Sequence, residues 1–399
     1  MKADSLKNKV ELNLIKSFDK LENIKSKYIL KMIFNNLLKK KFFVIIKFNN
    51  NIKKRIDINI NDYKAFSELI EIEIKTANKK YGKFINIKKE DKKYYHIFFN
   101  NNEEEIKRNY INEGEEIKKI KISIEYKINS LKDLFYCCKC IESIYFKKFN
   151  RNNINNISFI FSGCSSLKEL NVNNFKANNI QNMSSMFSGC ISLKELNLNN
   201  FNTNNVNNMN CMLYRCSTLK ELKINNFNTK NVNNMSGMFY ECSSLEKLNL
   251  NNFDTNNVTN MCCMFYGCSS LKELNINNFN AKNVKDMSKM FEGCSSLKEL
   301  NINNFNAKNV KDMNSMFKDC SSLKKLYINN FNTNNVRYMD LMFYKCSSLK
   351  ELNINNFNTN NLIIMMYMFS YCSKDFIRKI KAQYKNIKEE AFINIDTNI

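Results

Sequence analysis

The chain has 399 residues, 44% of them hydrophobic and 25% charged, which supports a packed core and excludes global disorder. With 7 Gly, no Pro and no Trp, it cannot be collagen-like, Pro-rich or a Gly/Ser linker. The formal net charge is +24, a balance found in proteins that bind nucleic acid or anionic membranes. Only six of the 62 cations are Arg, the residue favoured for bidentate phosphate and base contacts, so a solvated basic surface explains the charge better.

Targeting signals are not evident. Charges at Lys7, Lys9 and Glu11 interrupt the place where a signal peptide has its apolar stretch. The longest uncharged apolar run, Leu362 to Phe369, is far shorter than the roughly 20 residues of a bilayer span. We therefore expect a cytoplasmic protein without a transmembrane segment, with the cell surface, reached by non-standard export, as the alternative.

Residues 1–117 contain no repeat and are predicted to form a basic α+β region. The segment Leu21–Phe48 has the apolar spacing of a helical hairpin, and the alternating segments Ile70–Ile74 and Tyr95–Phe99 predict strands. The hairpin segment resembles the F-box helical segment, although the Leu-Pro start and terminal Trp of that family are absent. That resemblance implies a ubiquitin-ligase substrate adaptor, which is one alternative function.

From residue 118 onward a period of 26 residues dominates the sequence. We call the residues that recur at this spacing a column. The cysteine column runs through ten units without a slip: Cys138, Cys164, Cys190, Cys216, Cys242, Cys268, Cys294, Cys320, Cys346 and Cys372. Phenylalanine and methionine columns share the period, so residues 118–375 are predicted to be a solenoid of nine to ten stacked units.

Each unit is predicted to contain a short helix and a short strand. In one unit, Val232, Met235, Met238 and Cys242 are spaced as on one face of a helix of two to three turns. The following Leu245–Leu250 segment ends in alternating apolar residues, which predicts a strand.

Both ends of the array need a cap, because a terminal unit has one unpaired sheet edge. The alternating run Ile120–Ile128 predicts a strand that pairs with the first unit. In residues 376–399, helical spacing from Phe376 through Ile380 and Tyr384 to Ala391 predicts a C-terminal capping helix.

The segment LKELNINNF at Leu271–Phe279 resembles the L-x-x-L-x-L consensus of leucine-rich repeats. The longer frame N-V-x-x-M-x-x-M-F-x-x-C-S-S-L-K-E-L-N is similar to the BspA-like leucine-rich repeat family. This resemblance implies an α/β repeat fold: a curved solenoid with a parallel sheet on its concave face and helical segments outside, preceded by the α+β region. It also implies a binding role, because members of that family are mostly surface or secreted binding proteins of microbes.

Strand alternation makes the concave face readable, because the residues between inward leucines point outward. Its first column is mostly Glu, and two further columns are mostly Asn, which predicts amide side chains that bond along the stack. Breaks in the repetition, Tyr327 above all as an aromatic anchor, are better candidates for ligand binding than the repeats. The candidate ligand-binding residues are Glu169, Glu195, Glu221, Lys223, Lys247, Glu273, Glu299, Lys325, Tyr327 and Glu351. Arg337, Tyr338 and Asp340 break the repetition on the outer side.

No cofactor, metal or catalytic residue is expected. The cysteine column is interpreted as buried, reduced thiols, which favours a reducing compartment. A site combining Cys137, Cys138 and Cys140 with His96 matches no familiar zinc spacing, and catalytic signatures are missing. We therefore predict a non-enzymatic scaffold that binds a protein or peptide, basic or polar, on the concave face. Surface adhesion of the BspA-like type is a second alternative, and nucleic acid is not expected to bind the repeats.

Overall fold

The computed structural model describes residues 68–394. Most of the described residues, 70–124 and 128–394, belong to one compact unit. The helical hairpin expected at Leu21–Phe48, and with it the F-box resemblance, lies outside the described residues.

An antiparallel sheet begins the described unit. Its strands are β1 (Ile70–Thr76), β3 (Tyr95–Phe99), β5 (Lys119–Ile124) and β6 (Ile141–Asn150), in the order β3-β5-β1-β6. A two-stranded pair, β2 (Gly82–Lys83) with β4 (Tyr110–Ile111), and a 3-10 helix (Lys89–Tyr94) complete this part. The strands predicted at Ile70–Ile74 and Tyr95–Phe99 are confirmed, and β1, β3 and β5 bury their apolar faces.

The expected pairing of the Ile120–Ile128 run with the first repeat is wrong. Strand β5 pairs with β1 and β3, and β1 is the strand that pairs with β6, matching Ile74 to Ile144. Both β1 and β5 are alternating isoleucine strands of similar length, so their sequences do not specify which one faces the solenoid. The structure places β1 between β5 and β6.

Strand β6 joins this sheet to the solenoid. It is antiparallel to β1 on one side and parallel to β7 (Glu169–Asn171) and β8 (Phe175–Lys176) on the other. The next turns contribute the short strands β9 (Glu195–Asn197), β10 (Glu221–Lys223), β11 (Lys247–Asn249), β12 (Glu273–Asn275), β13 (Glu299–Asn301) and β14 (Lys325–Tyr327). Adjacent strands are parallel and in register at 26 residues, for example Leu196 with Leu222. The predicted parallel-sheet solenoid is therefore confirmed.

The helix expected in each unit is wrong: the segment is a series of tight turns. In the unit that starts at Asn208, the N–H groups of Cys211 and Leu213 donate to carbonyls of the next unit, at 2.8 and 2.9 Å. The intervening N–H groups of Met212 and Tyr214 donate three residues back within the unit. Consecutive turns place an apolar residue inward every three or four positions, which is also the spacing of a helix face.

Two positions in each of these turn segments have a left-handed backbone, which an α-helix cannot contain. One column has positive φ at Cys211 (52°), Gly237 (59°), Cys263 (56°) and Lys289 (57°). Four residues later, a second column includes Gly267 (66°) and Glu241 (51°). Left-handed φ costs a residue with a Cβ about 1–2 kcal/mol, so the array holds stored backbone strain wherever these positions are not glycine.

We expect Lys289→Gly to stabilise the protein by about 1 kcal/mol, because glycine adopts the left-handed backbone without a Cβ clash. Lys289 is exposed at φ 57°, and glycine already occupies this column at position 237. Lys298, which is also exposed but is not among the residues of positive φ, is the control. Urea titration measures both variants, and Lys298→Gly should destabilise the fold. Equal effects of the two substitutions would contradict the left-handed backbone at position 289.

Stacked rings form the core of the solenoid. Rings of one phenylalanine column lie parallel at 5.5 Å for Phe239 to Phe265 and again for Phe265 to Phe291. Valine, methionine, cysteine and leucine columns surround these rings and are almost fully buried. Because every turn contributes the same side chain at the same height, one well-packed unit specifies the packing of its neighbours.

The C-terminal segment packs against the last turn of the solenoid. Ser373 caps the N-terminus of helix α1 (Lys374–Gln383), because its side chain accepts the N–H of Phe376. A 3-10 helix (Glu389–Phe392) follows. Helical spacing predicts one helix through Ala391, whereas α1 ends at Gln383. All the apolar residues of the predicted helix are nevertheless buried: Phe376, Ile380, Tyr384, Ile387 and Ala391. The Phe392 ring stacks on Phe369 at 5.5 Å and so extends the phenylalanine column by one member.

Candidate binding surfaces of the solenoid

The outward side of the short strands, which we call the strand face, contains all ten candidate residues in two aligned columns. Nine are exposed and Tyr327 is half-buried. In the first column, Glu195 is paired in register with Glu221, and Lys247 with Glu273. Lys325 lies between Glu299 and Glu351. The structure therefore brings the predicted residues together on one surface, with about 4.8 Å between successive strands.

The second column shows what its asparagines do. In most units the Asn Oδ1 accepts the N–H two residues later, as Asn249 does from Asn251 at 3.1 Å. Lys223 and Tyr327 replace Asn in two units, and the orphaned N–H then bonds one unit back. Asn225 N–H donates to Asn199 Oδ1 at 2.9 Å. Asn329 N–H donates to Asn303 Oδ1 at 2.8 Å.

These bonds fit the predicted amide scaffold. Further asparagines donate Nδ2 to backbone carbonyls of the preceding turn, for example Asn278 to Phe253 and Asn205 to Asn178. The repeated amides thus supply hydrogen-bond partners to backbone groups of the turns. In regular strands and helices, other backbone groups would be those partners. The side chains at positions 223 and 327 have no such backbone role, because a neighbouring amide replaces them.

Most carboxylates of the first column form no ion pair in the part of the chain that the structure describes. Glu169 accepts the Tyr145 hydroxyl, but the carboxylates of Glu195, Glu221, Glu273, Glu299 and Glu351 form no ion pair within residues 68–394. The neighbouring cations Lys168 and Lys272 pair instead along their own column, with Glu142 and Glu246, at 2.7 Å each. The strand face therefore presents a stripe of exposed carboxylates without ion pairs in the described residues, interrupted by Lys247 and Lys325.

A second surface was not predicted from the sequence: a tyrosine stack on the tight turns. The rings of Tyr214, Tyr240 and Tyr266 are half-buried and parallel, with centroids 4.4 Å apart at both steps. The Arg215 guanidinium lies 5.3 Å from the Tyr214 ring and pairs with Glu241 at 2.8 Å. The signal was tyrosine in the same position of three successive 26-residue units.

The cysteine column is fully buried, and its thiols bond to the backbone. In most units the thiol donates to a phenylalanine carbonyl 29 residues earlier, as Cys216 does to Phe187 at 3.1 Å. Burial raises the pKa of the Cys216 and Cys268 thiols to about 12. The column therefore packs and bonds as a small hydrophobe with a weak donor, and it lacks thiolate character.

We expect thiol reagents to separate the native cysteines into two groups. Cys137 is exposed and Cys211, Cys262 and Cys263 are half-buried, so these four should react first. The other eleven are buried and should react only after unfolding, when all fifteen become accessible. The measurement is thiol titration in native and denaturing buffer, and rapid native reaction of more than about half of the thiols would contradict it.

His96 is not brought to the cysteines. Its Nδ1 lies 3.2 Å from Glu105 Oε1, while the Cys140 thiol donates to the Lys83 carbonyl at 3.2 Å. Within residues 68–394 no three His, Cys, Asp or Glu side chains are grouped so that they could hold a metal ion. In the same residues, no helix has the length and apolar character to span a membrane.

This architecture defines the class of the protein: a leucine-rich-repeat-like β-solenoid with little helix. The chain belongs to the family described as Mycoplasma protein of unknown function, DUF285, whose model matches residues 129–247, 215–325 and 294–391. These matches together cover about two thirds of the 399 residues.

Comparison with solved structures gives matches that include a leucine-rich repeat protein from Bacteroides ovatus ATCC 8483. The two chains are 15% identical with a TM-score of 0.28, over 58% of this chain and 70% of that one. No curated protein sequence matches this chain.

Proposed function

We propose that this protein is a non-enzymatic scaffold that binds a protein or peptide through its strand face. The observation that carries the proposal is the contrast between satisfied amides and unpaired carboxylates on the same surface. The Asn columns bond to backbone, whereas Glu195, Glu221, Glu273 and Glu299 stand in line without an ion pair in residues 68–394. A surface whose only role is to complete the fold of the solenoid would not need these charges.

A basic or polar segment fits this surface best. Glu195 and Glu221 are directly paired strand neighbours, and like charges at that spacing repel. A partner that offers lysine or arginine side chains relieves the repulsion and is steered toward the stripe. Tyr327, half-buried between Glu and Asn columns, supplies an aromatic contact of the kind that anchors interfaces.

Binding rather than catalysis is favoured by the thiol chemistry. A catalytic cysteine needs a lowered pKa and access to substrate. The column thiols, such as Cys190 and Cys242, are buried and burial raises their pKa. Reduced cysteines at this density also fit a reducing compartment, so we place the scaffold in the cytoplasm, with cell-surface adhesion as the alternative.

The test is capture of partners from native lysate by the full chain and by two charge variants. Glu273→Lys combined with Glu299→Lys reverses the stripe. Glu103→Lys combined with Glu104→Lys makes the same change in charge at an exposed loop and is the control. A protein retained by wild type and control but lost by the stripe variant supports the proposal. Partners retained equally by all three, at unchanged thermal unfolding, would overturn it.

Tyr327→Asn gives a second readout because it restores the repeat residue of that column. We expect it to weaken the same partner without destabilising the solenoid, since Asn can again accept the N–H of Asn329. A partner whose affinity is unchanged by this substitution does not use the aromatic contact, which would contradict the assigned anchor.

A further inference from the structure

A third surface of the solenoid, the loop face, is formed by the residues between each strand and the following tight turns. One of its columns is neutral in four successive units, at Gln181, Asn207, Asn233 and Thr259, and then becomes cationic at Lys285, Lys311 and Arg337. All three cations are exposed, and none forms an ion pair within residues 68–394. Three like charges therefore lie in line about 4.8 Å apart, as successive turns of the stack require.

These cations line a groove. Asn309, Lys311, Asn335, Arg337 and Asn361 surround a cavity of about 550 Å³. A second cavity of about 340 Å³ shares Asn309 and Lys311 with it and extends to Lys285, Asn283 and Asn257. The two cavities are adjacent along the stacking direction, with Asn309 and Lys311 between them, and we call them together the trough.

The asparagine wall of the trough is held in place by the backbone. Asn309 Nδ2 donates to the Lys282 carbonyl at 2.6 Å, and Asn335 Nδ2 donates to the Lys308 carbonyl at 2.7 Å. Asn361 Nδ2 bonds to the Asn334 carbonyl in the same way, at 2.7 Å. Within the described residues, no hydrogen bond engages the Oδ1 atoms of these three side chains. The trough therefore combines amide acceptors held by the backbone with a row of cations.

We propose that this trough binds an anionic polysaccharide, a linear sugar chain carrying sulfate or carboxylate groups. Such chains lie outside the cell, so this activity goes with the cell-surface alternative given above and not with the cytoplasmic placement. The cations would contact the anionic groups, and the fixed amide oxygens would accept hydrogen bonds from sugar hydroxyls. Single-stranded nucleic acid is disfavoured because none of the lining residues is aromatic, and such sites stack bases on aromatic rings. A flat membrane surface fits a recessed trough poorly.

The test uses the full chain and heparin as the probe, with binding measured by calorimetry at several salt concentrations. The trough variant combines Lys285→Gln, Lys311→Gln and Arg337→Gln. The control variant, Lys194→Gln with Lys298→Gln and Lys324→Gln, removes the same number of exposed charges from the strand side. For the trough variant only, we expect heparin binding to weaken about tenfold and to depend less steeply on salt. A loss of this size is expected because three contacts between exposed charges are removed.

Several outcomes would overturn the proposal. Equal weakening by both variants would mean that net charge alone attracts heparin. Absence of heparin binding would also overturn the proposal. So would trough-dependent binding of oligodeoxythymidine or of phosphatidylserine vesicles that is stronger than the binding of heparin. Uncharged dextran should not bind, and matching melting curves would show that both variants are folded. Because the trough and the strand face share no residue, loss of either binding activity leaves the other unaffected.

Discussion

Ending the chain after Lys374 is expected to make the protein self-associate or become insoluble. The segment removed contains Phe376, Ile380 and Ala391, all buried against the last turn. Exposing each large apolar side chain and its partner surface costs about 1.5–3 kcal/mol, so losing several is comparable with the net stability of a domain. Without the cap, the carbonyl that receives the Phe369 N–H, at Ala391, is also lost. Light scattering and sedimentation of the purified chain would measure the effect.

A single-atom variant tests the same cap without deleting it. The Tyr384 hydroxyl accepts a hydrogen bond from the buried Ile354 N–H at 3.1 Å. In the interior of the array, the next turn would supply the acceptor at this place. Tyr384→Phe leaves that N–H unsatisfied and should lower the free energy of unfolding by about 1–3 kcal/mol. Removing the first 20 residues is the control for truncation and should be tolerated. A soluble, monomeric chain ending at Lys374 with unchanged melting would show that the segment does not close the solenoid.

Phe265→Ala is expected to destabilise the solenoid by about 3–5 kcal/mol. The ring is fully buried in the middle of the array and stacks on Phe239 and Phe291 at 5.5 Å on either side. Its removal leaves a cavity and separates the column into two stacks. Because each unit contacts mainly its neighbours, the loss should first appear as local opening around this turn. Urea unfolding gives the magnitude, and hydrogen exchange gives the location.

The natural sequence provides the matched control. Leu213 occupies the same column as Phe265 and is fully buried, so leucine is compatible with this environment. Phe265→Leu should cost less than about 1.5 kcal/mol because it preserves most of the volume. If both substitutions at position 265 had the same small effect, the column would not be the continuous core described above.

Strand alternation was enough to predict which side chains point outward from the short strands. The outward columns containing Glu195 and Asn197 follow from the inward position of Leu196 alone, because side chains in a strand alternate. The same reasoning gave no information on the loop face and the tight turns, which have no simple period. The trough at Lys311 and Arg337 and the Tyr240 stack therefore became visible only once neighbouring turns were placed side by side.

The sequence by itself determined the repeat length, the in-register parallel stacking and the identity of the buried columns, because a 26-residue period requires each unit to pack against an identical neighbour. Tertiary structure decided the rest. Whether the Met235 to Cys242 segment became a helix depended on hydrogen bonds to the next turn, such as that from the Gly237 N–H to the Cys262 carbonyl at 2.8 Å. The pairing of β6 was decided in the same way, since its backbone bonds form with β1 and not with β5. In both cases the competing structures bury the same side chains, and only backbone bonds between distant residues distinguish them.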